Sequence, residues 1–227
     1  MRQAIMHVRN ERGNVTILVL TIFFFLLLVV FSVLFNISTI FVDKEAAANS
    51  AQLASLAATD ILYDEVEEAI KVYDLSIESW VDPVFIWELV EAQMDTIQAS
   101  HPDWSSSEVR AEAIDRVLLA AIPTYPTLEA HVLKGLHDAS TKIPGVVRDI
   151  LASNKSTLGG SSLKLFNGED RIEVRTSVRY ESQSFGLDFL PPHNEQIYQT
   201  GESRSIGFIK VTGWEQLPQV FTEGDSW

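Results

Sequence analysis

Five histidines, His7, His101, His131, His137 and His193, are the side chains best suited to bind a metal or move a proton near neutral pH. His131 and His137 stand six apart, which on a helix turns them to different sides, so they make a poor ligand pair. The chain has no zinc-protease helix motif, phosphate-cradling glycine loop, calcium loop or nucleophile elbow. Ser161-x-x-Lys164 has the spacing of a Ser–Lys nucleophile pair, but it falls at the start of a predicted strand and lacks companion motifs. Asn167-Gly168-Glu169-Asp170 offers oxygens to a cation, yet Asn-Gly is first of all a turn signal and acids in turns are usually solvated. Asn14-x-Thr16 and Asn154-x-Ser156 fit the glycosylation pattern, the first at the edge of an apolar run. The tryptophans (Trp80, Trp87, Trp104, Trp214, Trp227) mix core and surface candidates. Cysteine is absent, which excludes disulfides and thiolate metal sites. No converging acid, base and nucleophile emerges, so no catalytic residue, cofactor or metal is expected.

The elements that would carry such residues begin with a membrane segment. From Asn14 to Val42 run 29 residues without Asp, Glu, Lys, Arg or His. About 20 apolar residues span a bilayer core as a helix, so this run crosses with residues to spare. A buried helix of a soluble protein is rarely apolar on every face for so long. A cleaved secretory signal fits less well. The run is about twice the usual apolar length, and Asp43-Lys44-Glu45 separates it from the small residues Ala46-Ala47-Ala48. Asn36, Ser38 and Thr39 lie in its outer part, where hydroxyls are expected to bond back to the helix.

Charge sets the expected direction. Residues 1–42 hold three of the 17 basic side chains (Arg2, Arg9, Arg12) and one of the 31 acidic ones (Glu11), which leaves a net charge of -16 on the remainder. Basic residues before the span and only Lys44 close behind it put the N-terminus in the cytoplasm and the body outside. Such a body repels nucleic acid and anionic headgroups, so nucleic acid is not expected as a main partner.

No Pro or Gly interrupts Asn14 to Ile77, and alanine and leucine dominate the stretch after the span. One helix is expected from about Asn14 to Tyr73, roughly 90 Å long, with about half protruding from the bilayer. Its protruding part carries a stripe, Ala47, Ala51, Ala54, Ala58 and Ile61, then Leu62, Val66, Ala69 and Tyr73. The small proximal part suits neighbouring helices, and the bulky distal part suits the chain's own domain. Asp82-Pro83 reads as the cap of a helix reaching Ser100, with Ile86, Leu89, Val90, Gln93 and Ile97 on one face. Ser105-x-x-Glu108 is a capping box opening a helix that ends at Pro123-Thr124-Tyr125-Pro126. Two further helices are expected, about Leu128–Thr141 and Pro144–Ser153.

After Gly159-Gly160 the period becomes two, with Ile172, Val174, Thr176, Val178 and Tyr180 alternating with charged or polar neighbours. Leu163–Phe166 is expected as the preceding strand, joined through an Asn167-Gly168 turn. Glu195–Thr200 and Arg204–Thr212 are expected as two more strands around Gly201-Glu202. Glu223–Trp227 reads as a frayed end. The fold class is α+β: a long N-terminal transmembrane helix continuing outside the membrane, a small helical section, then a C-terminal antiparallel β-meander. The expected divisions are 1–13 basic leader, 14–42 span, 43–80 continuing helix, 81–155 helical section and 156–227 β section.

Glu11-Arg12-Gly13-Asn14-Val15-Thr16, the long apolar helix, Val42-Asp43 and the Ala-rich Asn49–Ala58 together resemble the N-terminal module of TadE/TadG-like proteins. These are pilin-like components of the tight-adherence (Flp) pilus assembly system of bacteria and archaea. The resemblance covers about residues 10–60. It implies prepilin-type processing after Gly13, leaving Asn14 first, in members that are cleaved. The residue five after that glycine is typically Glu in such substrates, and here it is Leu18.

The expectation is a non-enzymatic envelope protein: a minor pilin-like or accessory subunit of a Flp (Tad) type IV pilus or related secretion machine. It would sit in the cell membrane as a single span and meet other pilin-like or pilus-assembly proteins through its N-terminal helix. A membrane-tethered sensor or adhesion domain, and an anchored enzyme, are the competing readings of the same outline.

Overall fold

With neither Pro nor Gly to break it from Asn14 onward, the N-terminal region folds as one helix, α1 (Glu11–Asp74). The structure, a computed structural model, describes residues 11–77, 84–182, 194–214 and 219–220. After α1 come α2 (Ile86–Ser100), α3 (Ser106–Ala121), α4 (Pro126–Ser153), β1 (Thr157–Lys164), β2 (Glu173–Glu181), β3 (Asn194–Glu202), a 3₁₀ segment (Gly207–Val211) and β4 (Gln219–Val220). The chain divides into two compact units, residues 1–43 with 180–195, and residues 44–179 with 196–227.

In the first unit, α1 exposes its large apolar side chains on all sides from Val15 to Val42. In the second, α1 is amphipathic and its buried face is the one read from the sequence. Ala47, Ala51, Ala54, Ala58, Leu62, Val66, Ala69 and Tyr73 are buried, and Ile61 is half-buried. One hydrophobic core joins this face to α2, α3, α4 and the sheet, including Ile114, Leu136, Ile143, Leu163, Val174 and Phe208.

The caps differ in source. Ser105 and Glu108 form the capping box of α3: the Ser105 hydroxyl accepts from the Glu108 backbone N–H, and the Glu108 carboxylate accepts from that of Ser105. Asp82-Pro83 lies outside the described residues. The N-terminus of α2 is instead held by Asp74 from the end of α1, whose carboxylate accepts from Ile86 N (2.8 Å) and Trp87 N (2.7 Å). A cap supplied from 12 residues upstream ties the two helices together. Ile86, Val90 and Ile97 face the core as expected, while Leu89 stays exposed.

Two expected helices are one. Pro144 sits inside α4, where it removes a hydrogen bond and costs about 3 kcal/mol. The buried face nevertheless runs straight through it as Leu136, Ala139, Ile143, Val147 and Leu151. Burying Val147 and Leu151 beyond the proline contributes about 1.5–3 kcal/mol each, which offsets the loss.

The sheet has the order β3-β2-β1-β4. β1 pairs antiparallel with β2, Leu163 opposite Val174, and also with β4. The last strand therefore returns to the far side of β1 rather than extending a simple meander. Asn167-Gly168 is not a two-residue turn. The loop closes between Asn167 N and Arg171 O (2.9 Å), and the Asn167 carboxamide oxygen accepts from the backbone of Glu169 and Arg171. Gly201-Glu202 ends β3 instead of turning between strands, and the strand expected at Arg204–Thr212 is a 3₁₀ segment. The reason is two consecutive buried residues, Phe208 and Ile209, which a strand would turn to opposite faces. The segment packs on α3, and Phe208 meets the Tyr63 ring edge-on at 6.5 Å. Glu223–Trp227 lies outside the described residues.

Glycine explains the closest contact. A Cβ on Gly201 would lie 2.3–2.5 Å from the backbone of Ala51 and Gln52, so β3 touches α1 main chain to main chain. Gly201→Ala is expected to lower stability by about 2 kcal/mol or more through overpacking. Gly145→Ala, in the α4 interior with nothing within 4 Å, is expected to raise it by about 0.5–1 kcal/mol. Thermal unfolding of the detergent-solubilised full-length protein checks both signs.

Candidate functional site

From Val15 to Val42, the described part of the first unit presents an apolar helix surface. Phe23, Phe24, Phe31, Leu34 and Phe41 are each more than half exposed, with Phe24 at 67%. An apolar surface of this extent is compatible with lipid and not with water. Two of its hydroxyls are satisfied within the helix: Thr21 and Thr39 donate to the carbonyls of Ile17 and Phe35 one turn back. Among the described residues, α1 is the one helix long and apolar enough to cross a membrane.

The alanine stripe corrects one expectation. Ala47, Ala51, Ala54 and Ala58 are fully buried within the chain's own second unit, so their close-approach face is not open to a neighbouring helix. The covering groups are the chain's own. Gly201 packs on Ala51, Gln52 Nε2 donates to the Glu202 carbonyl (3.2 Å), and Ser156 Oγ donates to Ser50 Oγ (2.8 Å). Ile61 is partly covered at the edge of the core. Gly13 is at the start of α1 with Asn14, and their side-chain surroundings are not described.

The other chemistry-bearing residues are kept apart. Ser161 and Lys164 lie an odd number of positions apart on β1, so they point to opposite faces. Ser161 is buried and its hydroxyl is spent on Thr157 O (2.6 Å) and Thr176 Oγ1 (2.8 Å). His131 packs edge-on against Tyr73 at 5.6 Å, His101 stacks on Trp104 at 4.4 Å, and His137 is exposed. His7 and His193 lie outside the described residues. The acids of the Asn167 loop are engaged by cations, Glu169 by Arg171 (3.1 Å) and Asp170 by Lys210 (3.7 Å). Asn154 closes the end of α4, donating to the Ile150 carbonyl (2.8 Å). Trp87 donates to Glu91 (2.7 Å) under the Lys71 ammonium, and Trp214 packs on the core. Trp80 and Trp227 lie outside the described residues. Among the described residues, no group of three or more His, Asp or Glu side chains could hold a metal.

One cluster was not singled out from the sequence. Asp115 of α3 is buried, and its Oδ2 accepts from the Tyr63 hydroxyl (3.0 Å) of α1 and from Arg204 Nη2 (3.0 Å). The same Arg204 nitrogen bonds Glu112, which also takes Arg116 Nε (2.7 Å). Burial pushes the Asp115 carboxyl up to about 6 against the pull of Arg204, the Tyr63 hydroxyl and the Gly207 N–H. Burial and the neighbouring carboxylate raise the Tyr63 phenol as well, so it stays protonated. The available signal was an acid at position 115 on the otherwise apolar face of α3, between Ile114 and Leu118. A cleft of about 330 Å³ opens beside it, lined by Leu56, Thr59, Tyr63, Arg110 and Arg204. A second groove of about 490 Å³ lies between α2 and α3, lined by Leu89, Gln93, Val117 and Tyr125.

Taken together, these features define an α+β protein with, among the described residues, one candidate membrane-spanning helix. Residues 13–60 match the Tad family model, described as "Putative Flp pilus-assembly TadE/G-like". The N-terminal module is therefore TadE/G-like, and it supports an involvement in Flp pilus assembly. No curated protein and no solved structure matches the chain.

If this module anchors the chain, one charge at its centre must weaken insertion. Leu27→Arg is expected to cost about 2.5–3.5 kcal/mol of insertion free energy and to move product from membrane to soluble or degraded fractions. Carbonate extraction and fractionation measure this, and Leu53→Arg, beyond the span, should leave the membrane fraction unchanged.

Proposed function

We propose that this chain is a minor pilin-like or accessory subunit of a Flp (Tad) type IV pilus or a related secretion machine. The observation that carries this reading is a coincidence of boundaries. The TadE/G-like match at 13–60 covers the lipid-compatible stretch of α1 and the alanine stripe that begins its buried face. A module that joins a membrane helix directly to the core of a domain suits a subunit held at the membrane surface by one rod.

The N-terminus would be cytoplasmic and the domain extracytoplasmic. Arg2, Arg9 and Arg12 precede the span, and the residues after it carry a net charge of -16. The partners would be other pilin-like or pilus-assembly proteins, met through the membrane part of α1, since the alanine face is occupied within the chain. Leu18 supports an accessory role. A Glu inside the apolar run is costly unless a cation pairs with it, and leucine needs no such partner, which suits a helix that does not have to polymerise. The role is read as non-enzymatic: the residues able to do chemistry are engaged in packing, caps and ion pairs.

Three measurements test the parts of this reading. Deleting the gene in its host and imaging the cells by electron microscopy should show lost or altered surface filaments. Unchanged filaments and adherence would remove the assembly role. Protease added outside intact spheroplasts should degrade the domain, and protection of the domain would reverse the orientation. Mass spectrometry of the purified membrane form reports processing: a mature terminus at Asn14 means cleavage after Gly13, and an intact Met1 or Arg2 terminus excludes it. Gly13→Ala is expected to leave membrane insertion unchanged in either case.

A further inference from the structure

Asp115 has too little compensation for a buried charge. Its side chain is 8% exposed, and Arg204, the cation paired with it among the described residues, is bound through the same nitrogen to Glu112. The groups facing it come from three elements. From α1 comes the Tyr63 hydroxyl; from α3 come Glu112 and, through Arg204, Glu108; from the 203–211 segment come Arg204 and the Gly207 N–H. Two carboxylates one turn apart on α3, Glu112 and Asp115, thus share Arg204, and Arg116 pairs with Glu112. The segment that delivers Arg204 is also the cover that dries the site. Ile206 and Phe208 are fully buried, and Phe208 lies edge-on against Tyr63.

We propose that Asp115, Tyr63 and Arg204 form a proton-governed latch, in which a proton on Asp115 holds the 203–211 segment closed against α1 and α3 and its loss loosens that segment. The physical reason is a difference in solvation. Closure takes the carboxylate out of water, at a cost the shared guanidinium only partly offsets, whereas a neutral carboxyl pays little. When Asp115 is protonated, Arg204 keeps Glu112, so closure retains its ion pair. Opening returns Asp115 to water and to the ordinary carboxylate range.

The sign follows from linkage. The closed form binds the proton more tightly, its carboxyl being raised to about 6, so closure is favoured below that pH and is lost as pH rises through it. Between pH 7.5 and pH 5 the closed-to-open ratio should increase about tenfold. That the latch would meet the outside medium rests on the orientation proposed above, which the protease test decides separately.

Hydrogen exchange of the full-length protein in detergent, corrected for intrinsic rates, tests the latch at the amides of 203–211. Protection there should fall about tenfold from pH 5 to pH 7.5 in the native chain and stay flat in Asp115→Asn. A flat native profile, or the same slope in the variant, overturns the proposal. Should the variant fail to fold, ¹³C NMR of the native Asp115 carboxyl decides. A midpoint near 6 sustains the latch, and a midpoint at or below the ordinary aspartate value refutes it.

Discussion

Everything in the second unit depends on one helix serving as the floor of the core. From Lys44 to Asp74, α1 presents a face that begins with four alanines and ends with Leu62, Val66, Ile70 and Tyr73. Small side chains at one end let the β3 backbone settle onto the helix through Gly201, and bulky ones at the other fill the space beneath α2, α3 and α4. Since no Pro or Gly interrupts the rod from Asn14 onward, the candidate membrane span and the core-facing segment belong to one continuous helix. Packing, rather than propensity, fixes where the other elements attach to it.

The polar groups around this floor follow the rule that buried charge must be paired or neutralised. Asp74 meets it by capping α2 with both carboxylate oxygens. Lys142 reaches Glu65 at 2.6 Å, and Arg110 reaches Asp64 at 2.7 Å, which pins α4 and α3 to the same helix. Each pair has one partner more than half exposed, so each is worth little alone. Asp115 meets the rule least completely: Tyr63 and Arg204 both donate to its Oδ2, and burial still raises its carboxyl to about 6.

The TadE/G-like match ends at residue 60, inside α1, while the core-forming face runs on to Tyr73. The domain built on that face has no matching curated protein or solved structure.

Much of this was legible in the residues. A charge-free run of 29, a helix without breakers, a capping box and a two-residue alternation each report on structure through neighbours a few positions away. So the apolar segment, α1 with its buried face, the start of α3 and the strand β2 could be read, and the N-terminal module could be likened to a family. Tertiary structure decided the rest, because the deciding partner lay far along the chain. Pro144 stays helical because Val147 and Leu151 find a core. Arg204–Thr212 curls because Phe208 and Ile209 both have somewhere to be buried, and Asp74 caps a helix that begins 12 residues later. Tyr63, Asp115 and Arg204 stand 52 and 89 residues apart in sequence and share one carboxylate oxygen, a meeting that no local pattern encodes. Local spacing determines what a segment can become, and long-range burial selects among those possibilities.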